Sequence, residues 1–340
     1  MAFITFQPKD YFNTKLYTGT GSAQSISSVG FQPDWVWVKD RDSANSHNLT
    51  DAVRGATKTI FSDANAAEVT DAQRLTSFDS DGFSVGTSTS FNTNTNDYVS
   101  WNWLANGAGS SNTDGTITTT VSANTTSGMS IVKWTGTGAS ATVGHGLGVT
   151  PDMIICKNLD GTAEDWVVWN NSFSASQFIR LNTTASVATS TGMWDNTLPT
   201  SSVFSLKNEE KNNNSGQDII AYCFAEKKGF SKFGSYVGNG STDGSFIYTG
   251  FKPAMVIYKR SDGIEGWMIQ DNRRPGYNPM GGNLFPNVSN AESTDARFDF
   301  LSNGFKARSG NQNTNASTHI FMAFAEEPLV SSNGVPNTAR

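Results

Sequence analysis

The chain has little charge and few cysteines or histidines, and it lacks a long apolar run. Only 16% of its 340 residues are charged, against about 25% in an average globular domain, and Asn, Ser, Thr and Gly take their place. The net charge is −6 and no basic cluster is present. We therefore expect no nucleic-acid partner, because such binding needs Lys and Arg against phosphates.

No apolar stretch approaches the ~18–20 residues of a membrane span, so we expect no membrane insertion. The first residues, MAFITFQPKD, lack a basic region followed by an apolar one. This pattern predicts no signal peptide. We expect the protein to be made in a cytoplasm and to stay there or leave by lysis.

The two cysteines, Cys156 and Cys223, lie in strand-like apolar runs. Either they form an inter-strand disulfide, or they are two buried free thiols acting as small hydrophobes. The absence of an export signal favours free thiols. Two cysteines are also too few for a zinc site, so we expect no metal.

The three histidines, His47, His145 and His319, do not recur at equivalent places. A Ser-His-Asp triad is therefore not indicated. His145, between glycines in VGHGLG, is predicted to be a solvated turn residue. His47 stands where Trp166 and Trp267 stand elsewhere, and it is predicted to pack as they do.

Two pairs of neighbouring glutamates, 209–210 and 326–327, could be imagined as acid and base of a glycosidase. Such carboxylates must face each other across ~5–10 Å, whereas neighbours on a strand point to opposite faces. Residues 40–42 (DRD) and 79–81 (DSD) lack the spacing of a known calcium loop. We therefore predict no catalytic residues and no cofactor.

The dominant feature present is a threefold repeat. Residues 30–39 read GFQPDWVWVK, residues 148–157 read GVTPDMIICK and residues 250–259 read GFKPAMVIYK. An aromatic-X-G-X-G signature precedes each copy, with its aromatic residue 16 or 17 positions before the proline. The copies keep step downstream, ending on YVSWNWLA, IIAYCFAE and IFMAFAEE. Such register indicates one structural unit of about 90 residues used three times.

Each unit reads as short strands rich in Val, Ile, Phe, Trp and Tyr, bounded by turn residues. The runs DWVWV, MIIC and MVIY have apolar residues at both odd and even positions, which is typical of strands covered on both faces. Asp81-Gly82 and Asn303-Gly304 predict tight hairpins. The best helix candidate is 64–75, with Asp63 as a possible N-cap.

These patterns predict an all-β fold of three tandem antiparallel β-sandwich repeats, jelly-roll or lectin-like, with little helix. The predicted boundaries are a docking arm (1–15), repeat 1 (16–108), a linker (109–128), repeat 2 (129–229), repeat 3 (230–328) and a tail (329–340). The repeats could form a triangle or a row, and the pattern does not choose between them.

Two connections have no close copy in the other units. One contains Trp194 and Asp195, and the other, 271–287, contains Arg273, Arg274 and Tyr277. Loops that vary on a fixed scaffold are where binding is expected. We therefore predict ligand contacts at these five residues, because exposed aromatic rings beside Asp and Arg suit sugars and protein surfaces alike.

The chain resembles the tandem-repeat tail-fibre or tail-spike-like structural proteins of marine tailed bacteriophages. The motifs that carry the resemblance span nearly the whole chain: YFNTKLYTGTG, VGFQPDWVWVKDRD, SFDSDGFSVG, YVSWNWLA, NTDGTITTTVSANT, SIVKWTGTGASATVGHGLG and IIAYCFAEKKGF. The third unit departs most, with Ala254 in place of the PD aspartate. The resemblance implies a virion component with a part in host recognition and carries no catalytic residue.

Three functions follow as hypotheses. The first is a non-enzymatic tail-fibre or receptor-binding subunit. It contacts other virion proteins and, through its variable loops, a host cell-surface glycan or protein, and it forms a homotrimer, as fibres commonly do. The second is a capsid decoration or cement protein. The third, less favoured, is an enzyme that degrades host polysaccharide.

Overall fold

The computed structural model describes residues 7–161, 164–310 and 316–327. Within these residues, helix is limited to a 3-10 turn (Pro8–Asp10) and two four-residue α-helices, α1 (Thr89–Asn92) and α2 (Glu210–Asn213). No helix in this part of the chain is long and apolar enough to cross a membrane. All paired strands are antiparallel, and the predicted all-β sandwich class is confirmed.

Unit 1 forms two sheets, in the orders β1-β9-β3-β4-β5-β6 and β2-β8-β7. Its strands are β1 (Phe12–Thr18), β2 (Gln24–Ile26), β3 (Trp35–Asp40), β4 (Asn48–Asp51), β5 (Lys58–Phe61), β6 (Val69–Thr70), β7 (Leu75–Asp79), β8 (Gly82–Val85) and β9 (Asp97–Trp103).

Unit 2 forms the sheets β10-β11-β12-β19-β14-β15-β16-β17 and β13-β18. Its strands are β10 (Ser110–Asn112), β11 (Thr119–Asn124), β12 (Met129–Thr135), β13 (Ala141–Gly144), β14 (Met153–Asn158), β15 (Val167–Asn170), β16 (Gln177–Arg180), β17 (Ala188–Thr189), β18 (Val203–Leu206) and β19 (Asp218–Phe224).

Unit 3 forms the sheets β20-β26-β22-β23 and β21-β25-β24. Its strands are β20 (Ser231–Val237), β21 (Phe246–Tyr248), β22 (Pro253–Arg260), β23 (Trp267–Asp271), β24 (Phe298–Leu301), β25 (Gly304–Ala307) and β26 (Thr318–Ala325). The larger sheets share one order, seen in β1-β9-β3-β4, β12-β19-β14-β15 and β20-β26-β22-β23. We call the larger sheets inner and the smaller sheets outer.

The inner strands are covered on both faces, as their composition predicts. On β3, Trp35 and Trp37 belong to a core cluster that all three inner sheets share. The alternate residues, Val36 and Val38, pack with Phe83 of the outer sheet in a core private to unit 1. One strand therefore serves two cores, because successive side chains point to opposite faces.

The three units close into a ring. Glu68 of unit 1 donates its backbone N–H to the Leu159 carbonyl of unit 2, over 2.8 Å. Val187 donates in the same way to Ser261 of unit 3, and Glu292 of unit 3 to Arg41 of unit 1, each over 2.8 Å. Each acceptor residue lies eight positions after the proline of its repeat motif. The units are therefore arranged as a triangle rather than in a row.

At two of these junctions, a tryptophan ring nitrogen donates a hydrogen bond to the neighbouring unit. Trp166 Nε1 donates to the Phe61 carbonyl of unit 1, and Trp267 Nε1 donates to the Arg180 carbonyl of unit 2, both over 2.8 Å. At the third junction the equivalent residue is His47, which is fully buried and accepts a hydrogen bond from Trp37 Nε1 at 3.0 Å. The predicted packing role of His47 is confirmed.

Several local expectations need correction. Segment 109–128 carries β10 and β11, which extend the inner sheet of unit 2, so it is not a plain linker. Residues 12–15 of the expected arm belong to β1, because Phe12 packs into the shared core. Residues 1–6 and the tail 329–340 lie outside the described residues.

The segment 64–75 is not helical. Asp63 accepts a hydrogen bond from the His47 backbone at 3.0 Å, and Glu68 bonds across the junction to unit 2. The backbone of this segment is therefore non-helical and takes part in the contact between units 1 and 2.

His145 is fully buried rather than solvated, and its ring bonds to the Leu147 N–H and the Thr200 carbonyl. The predicted hairpins β7–β8 and β24–β25 are confirmed. Cys156 and Cys223 are free, buried thiols.

We expect Phe12→Ala to lower the free energy of unfolding by about 3–5 kcal/mol, the usual cost of truncating a buried phenylalanine. Phe12 is fully buried, with ring centroids 5.1 Å from Trp103 and 5.2 Å from Phe324 of unit 3. Urea denaturation would measure the loss. Val149→Ala, at a side chain 44% exposed, is the control and should change stability by under about 0.5 kcal/mol. Equal effects of the two changes would contradict a core role for Phe12.

Candidate functional site

The first predicted contact, Trp194, lies in the core of unit 2. It is 2% exposed, stands edge-on to Phe204 with centroids 6.4 Å apart, and donates from Nε1 to the Gln177 carbonyl at 3.2 Å. The expectation of an exposed Trp194 is wrong, because the turn that follows it folds the ring inward. Asp195 begins that turn with φ of 49° and pairs with Lys207 at 3.5 Å.

The second predicted group divides into surface and junction residues. Tyr277 is 79% exposed, and the Arg273 side chain is 40% exposed and ion-paired with Glu326. The Arg274 side chain, by contrast, is fully buried. Of these three residues, only Arg273 and Tyr277 are therefore accessible at the surface. Arg274 is buried at a junction of the ring.

Arg274 organises a charged cluster where unit 3 meets unit 1. Its Nε and Nη1 bind Asp271 at 2.7 Å and Glu292 at 2.9 Å. Its Nη2 donates to the Ile269 carbonyl at 3.1 Å, and Cζ lies 5.6 Å from the ring centroid of Trp101. Trp101 Nε1 donates to Asp271 at 3.1 Å. Each of the three guanidinium nitrogens therefore has a partner.

Arg54 repeats this cluster where unit 1 meets unit 2. It binds Asp51 at 2.5 Å, Glu68 at 3.0 Å and the Leu49 carbonyl at 2.9 Å. Tyr222 of unit 2 takes the place of Trp101 and donates to Asp51 at 2.8 Å. The two clusters therefore have the same arrangement, in which a buried Arg binds an Asp three residues before it and a Glu of the same unit.

The clusters keep their charges. Burial by itself disfavours the charged form of Arg54, but Asp51, Tyr222 and Glu68 outweigh it and raise the Arg54 pKa. Burial would raise the pKa of Glu292, yet the hydrogen bond from Arg41 and the charge of Arg274 hold it below its ordinary value. Burial, with Asp51 beside it, raises the pKa of Tyr222 well above its usual range. The tyrosine therefore stays a neutral donor.

The remaining junction, between units 2 and 3, lacks the charges. Asn170, Phe173 and Val187 stand in the places of Asp51, Arg54 and Glu68. Met322 stands in the place of Tyr222. All atoms of the Asn170 side chain are buried, and its Nδ2 has no hydrogen-bond partner among the described residues. This junction depends on apolar packing and on backbone bonds.

A lysine that recurs in all three units was not identified from the sequence. Lys39, Lys157 and Lys259 each lie six residues after the motif proline, and all three are buried. Burial lowers the pKa of each to about 8. Each ammonium is held by backbone carbonyls, such as those of Ser43, Asn158 and Gly263. The fixed spacing was a sufficient signal for this set.

The polar atoms of the two clusters face one another inside the ring, where they bind each other. Among residues 7–161, 164–310 and 316–327, no three His, Cys, Asp or Glu side chains are grouped to hold a metal ion. The Asp40 carboxylate of the DRD segment accepts from the Asp42 and Ser43 backbones and from Asn45.

The fold and its junctions define a closed ring of β-sandwich units, in which recurring polar side chains are internal. A family model described as a domain of unknown function (DUF7483) matches residues 7–328, and the chain belongs to that family. Neither the curated proteins nor the solved structures contain a match.

We expect Asp271→Ala to destabilise the protein by about 3–5 kcal/mol, because it leaves part of the buried Arg274 charge unpaired. The double change Asp271→Asn/Arg274→Phe copies the residues of the uncharged junction, and it should cost clearly less. Urea denaturation of both variants would measure the difference. A double variant as unstable as Asp271→Ala would show that the charge itself is needed there.

Stability should fall as the pH drops below about 6.5, the ordinary pKa of histidine. Burial, with Lys39 and Arg274 nearby, holds the folded-state pKa of His47 well below that value, although the Phe285 carbonyl opposes the shift. Between the two pKa values the unfolded chain binds more protons, so the loss approaches about 1.4 kcal/mol per pH unit.

Urea unfolding of the wild type and of His47→Gln at pH 7.5, 6.5 and 5.5 would test this. The variant should show a flatter profile. His145→Gln is a useful comparison, because burial also lowers the His145 pKa and adds a separate part of the slope. Parallel profiles for the wild type and His47→Gln would contradict the assignment.

Proposed function

We propose that this protein is a non-enzymatic structural component of a tailed-bacteriophage virion, serving as a tail-fibre or receptor-binding subunit. One observation carries the proposal. The Asp and Arg side chains that two junctions share are buried, whereas exposed connections, such as that of Arg273 and Tyr277, differ from unit to unit. A rigid scaffold with unit-specific exposed loops suits recognition of a host-surface glycan or protein. The motif resemblance supports a virion setting.

The closed ring favours a second candidate. Three sandwiches that close on one another have pseudo-threefold character, which suits a capsid decoration protein seated on a symmetric shell. A trimer of such chains remains part of the fibre proposal. The two candidates differ in where the protein lies on the particle.

The carboxylates considered for polysaccharide cleavage favour a binding role over an enzymatic one. Glu209 accepts a 2.5 Å hydrogen bond from Ser190, and Glu326 is bound by Asn272 and Arg273. Carboxylates engaged in this way belong to the local structure.

Location on the particle tests the proposal. Gold-labelled antibody raised against the purified chain should mark the tail of intact virions in electron micrographs. Labelling of the head would select the decoration protein instead. Labelling of neither, with the chain absent from purified virions by mass spectrometry, would overturn both.

We expect phage carrying Arg273→Ala/Tyr277→Ala to adsorb to host cells at least about tenfold more slowly, the effect of losing one binding hot spot. Both side chains are at the surface, so the change should leave the ring intact. Val149→Ala, an exposed change in a repeated motif, is the matched control. Adsorption equal to that of the control would remove this loop from the contact surface.

A further inference from the structure

The outer sheet of unit 3 exposes two aromatic rings that the sequence reading did not single out. Phe246 is 47% exposed and Tyr248 is 61% exposed. They lie two residues apart on β21, an edge strand, and therefore on the same face. The residue between them, Ile247, is buried against Phe305. The two rings thus stand on a rigid sheet, not on a loop.

Glycines lie beneath both rings. A Cβ added to Gly304 would come 3.0 Å from Cε2 of Phe246, and one added to Gly250 would come 3.5 Å from the hydroxyl and 3.7 Å from Cε1 of Tyr248. Each ring therefore has an edge close to the backbone of a glycine, and about half of each side chain is exposed to solvent. Together they form a shallow aromatic platform.

The other units do not have this platform. The inward residues Ile26, Val143 and Ile247 each pair with the equivalent phenylalanine of the neighbouring strand. The outward residues that flank them are Ser25 and Ser27 in unit 1, and Thr142 and Gly144 in unit 2. In unit 2, Thr142 is also covered by Thr116 through hydrogen bonds of 2.8 and 2.9 Å. The aromatic pair is therefore specific to unit 3 and is not required by the fold.

The charges around the platform are neutralised in pairs. Lys306, directly opposite Phe246, binds Asp243 at 2.6 Å, and Arg308 binds Asp299 at 3.1 Å and Asp243 at 3.8 Å. The surface thus has two cations and two anions with no net charge. It offers donors and acceptors beside the rings, but no attraction for a polyanion.

We propose that this face of unit 3 (Phe246, Tyr248 and the paired charges around them) binds a neutral glycan. The apolar C–H face of a pyranose packs on an aromatic ring, and its hydroxyl groups bond to polar side chains at the ring edge. The exposure of the two rings and the paired charges beside them support the binding site. Its part in host contact rests on the function proposed for the protein.

A protein partner fits this face less well. The cores of protein interfaces are depleted in charged residues, and docking sites present larger continuous apolar patches. Here two rings are flanked by four charged side chains. A saccharide, which needs a ring to stack on and polar groups around it, matches both features.

Affinity gel electrophoresis of the purified full chain tests the proposal, with laminarin and galactomannan as neutral probes and dextran sulfate as the anionic probe. At least one neutral polysaccharide should retard the wild type. Phe246→Ser/Tyr248→Ser, which copies the serines of unit 1, should weaken that retardation at least about tenfold. Phe246→Tyr should keep it. Ile264→Ser, at a side chain 75% exposed in the same unit, should also leave it unchanged.

The melting temperature of the double serine variant should match the wild type, which separates loss of binding from loss of folding. No retardation by either neutral polysaccharide, retardation by dextran sulfate alone, or equal retardation of the double variant would overturn the proposal. So would a wild type that self-associates in sedimentation while the double variant does not, since the face would then be covered by a second copy. None of these results depends on where the protein lies in the virion, so antibody labelling tests the proposed function separately.

Discussion

The inner strands are apolar on both faces, and the rest of the structure follows from that constraint. The outer sheet of each unit can cover only one face. The second face, with Trp35, Trp37 and Trp101 in unit 1, is covered by the inner sheets of the other two units in one shared core. A single unit would leave several large rings in water, at a cost of about 1.5–3 kcal/mol for each exposed large side chain. Three units in a closed ring remove that exposure.

The motif of the repeat gains a physical explanation from the ring. The PD aspartates accept the backbone N–H that follows the last inner strand, Asp34 from Ala105 at 2.8 Å and Asp152 from Glu226 at 2.7 Å. The lysine six residues after the proline is bound to the carbonyls of the next turn. These polar residues recur because the backbone groups at the ends of the inner strands need hydrogen-bond partners in each unit.

Much of the fold could be predicted, because the local composition of a strand indicates which of its faces are buried. The absence of polar alternation in DWVWV indicates two covered faces, and the His47/Trp166/Trp267 equivalence indicates packing. The junction clusters could not be predicted, because Arg54 and Tyr222 come together over 168 residues of sequence. Trp194 was misjudged for a related reason. A residue without a counterpart in the repeat looks like surface, although the core of unit 2 has its own space to fill. The Phe246 and Tyr248 platform was missed because its alternation with Ile247 reads as an ordinary strand.

The ring also determines where the units are free to differ. An inner-sheet residue contacts its own outer sheet on one side and neighbouring units on the other, so a change there must suit several surfaces at once. The outward residues of the outer sheets contact solvent, their strand neighbours or a segment of their own unit, as Thr142 contacts Thr116. Position 246 illustrates this freedom: serine, threonine and phenylalanine occupy equivalent places, while the adjacent inward position stays Ile or Val. Ring closure therefore leaves the connections and the outer faces as the places that one unit can alter without disturbing the other two.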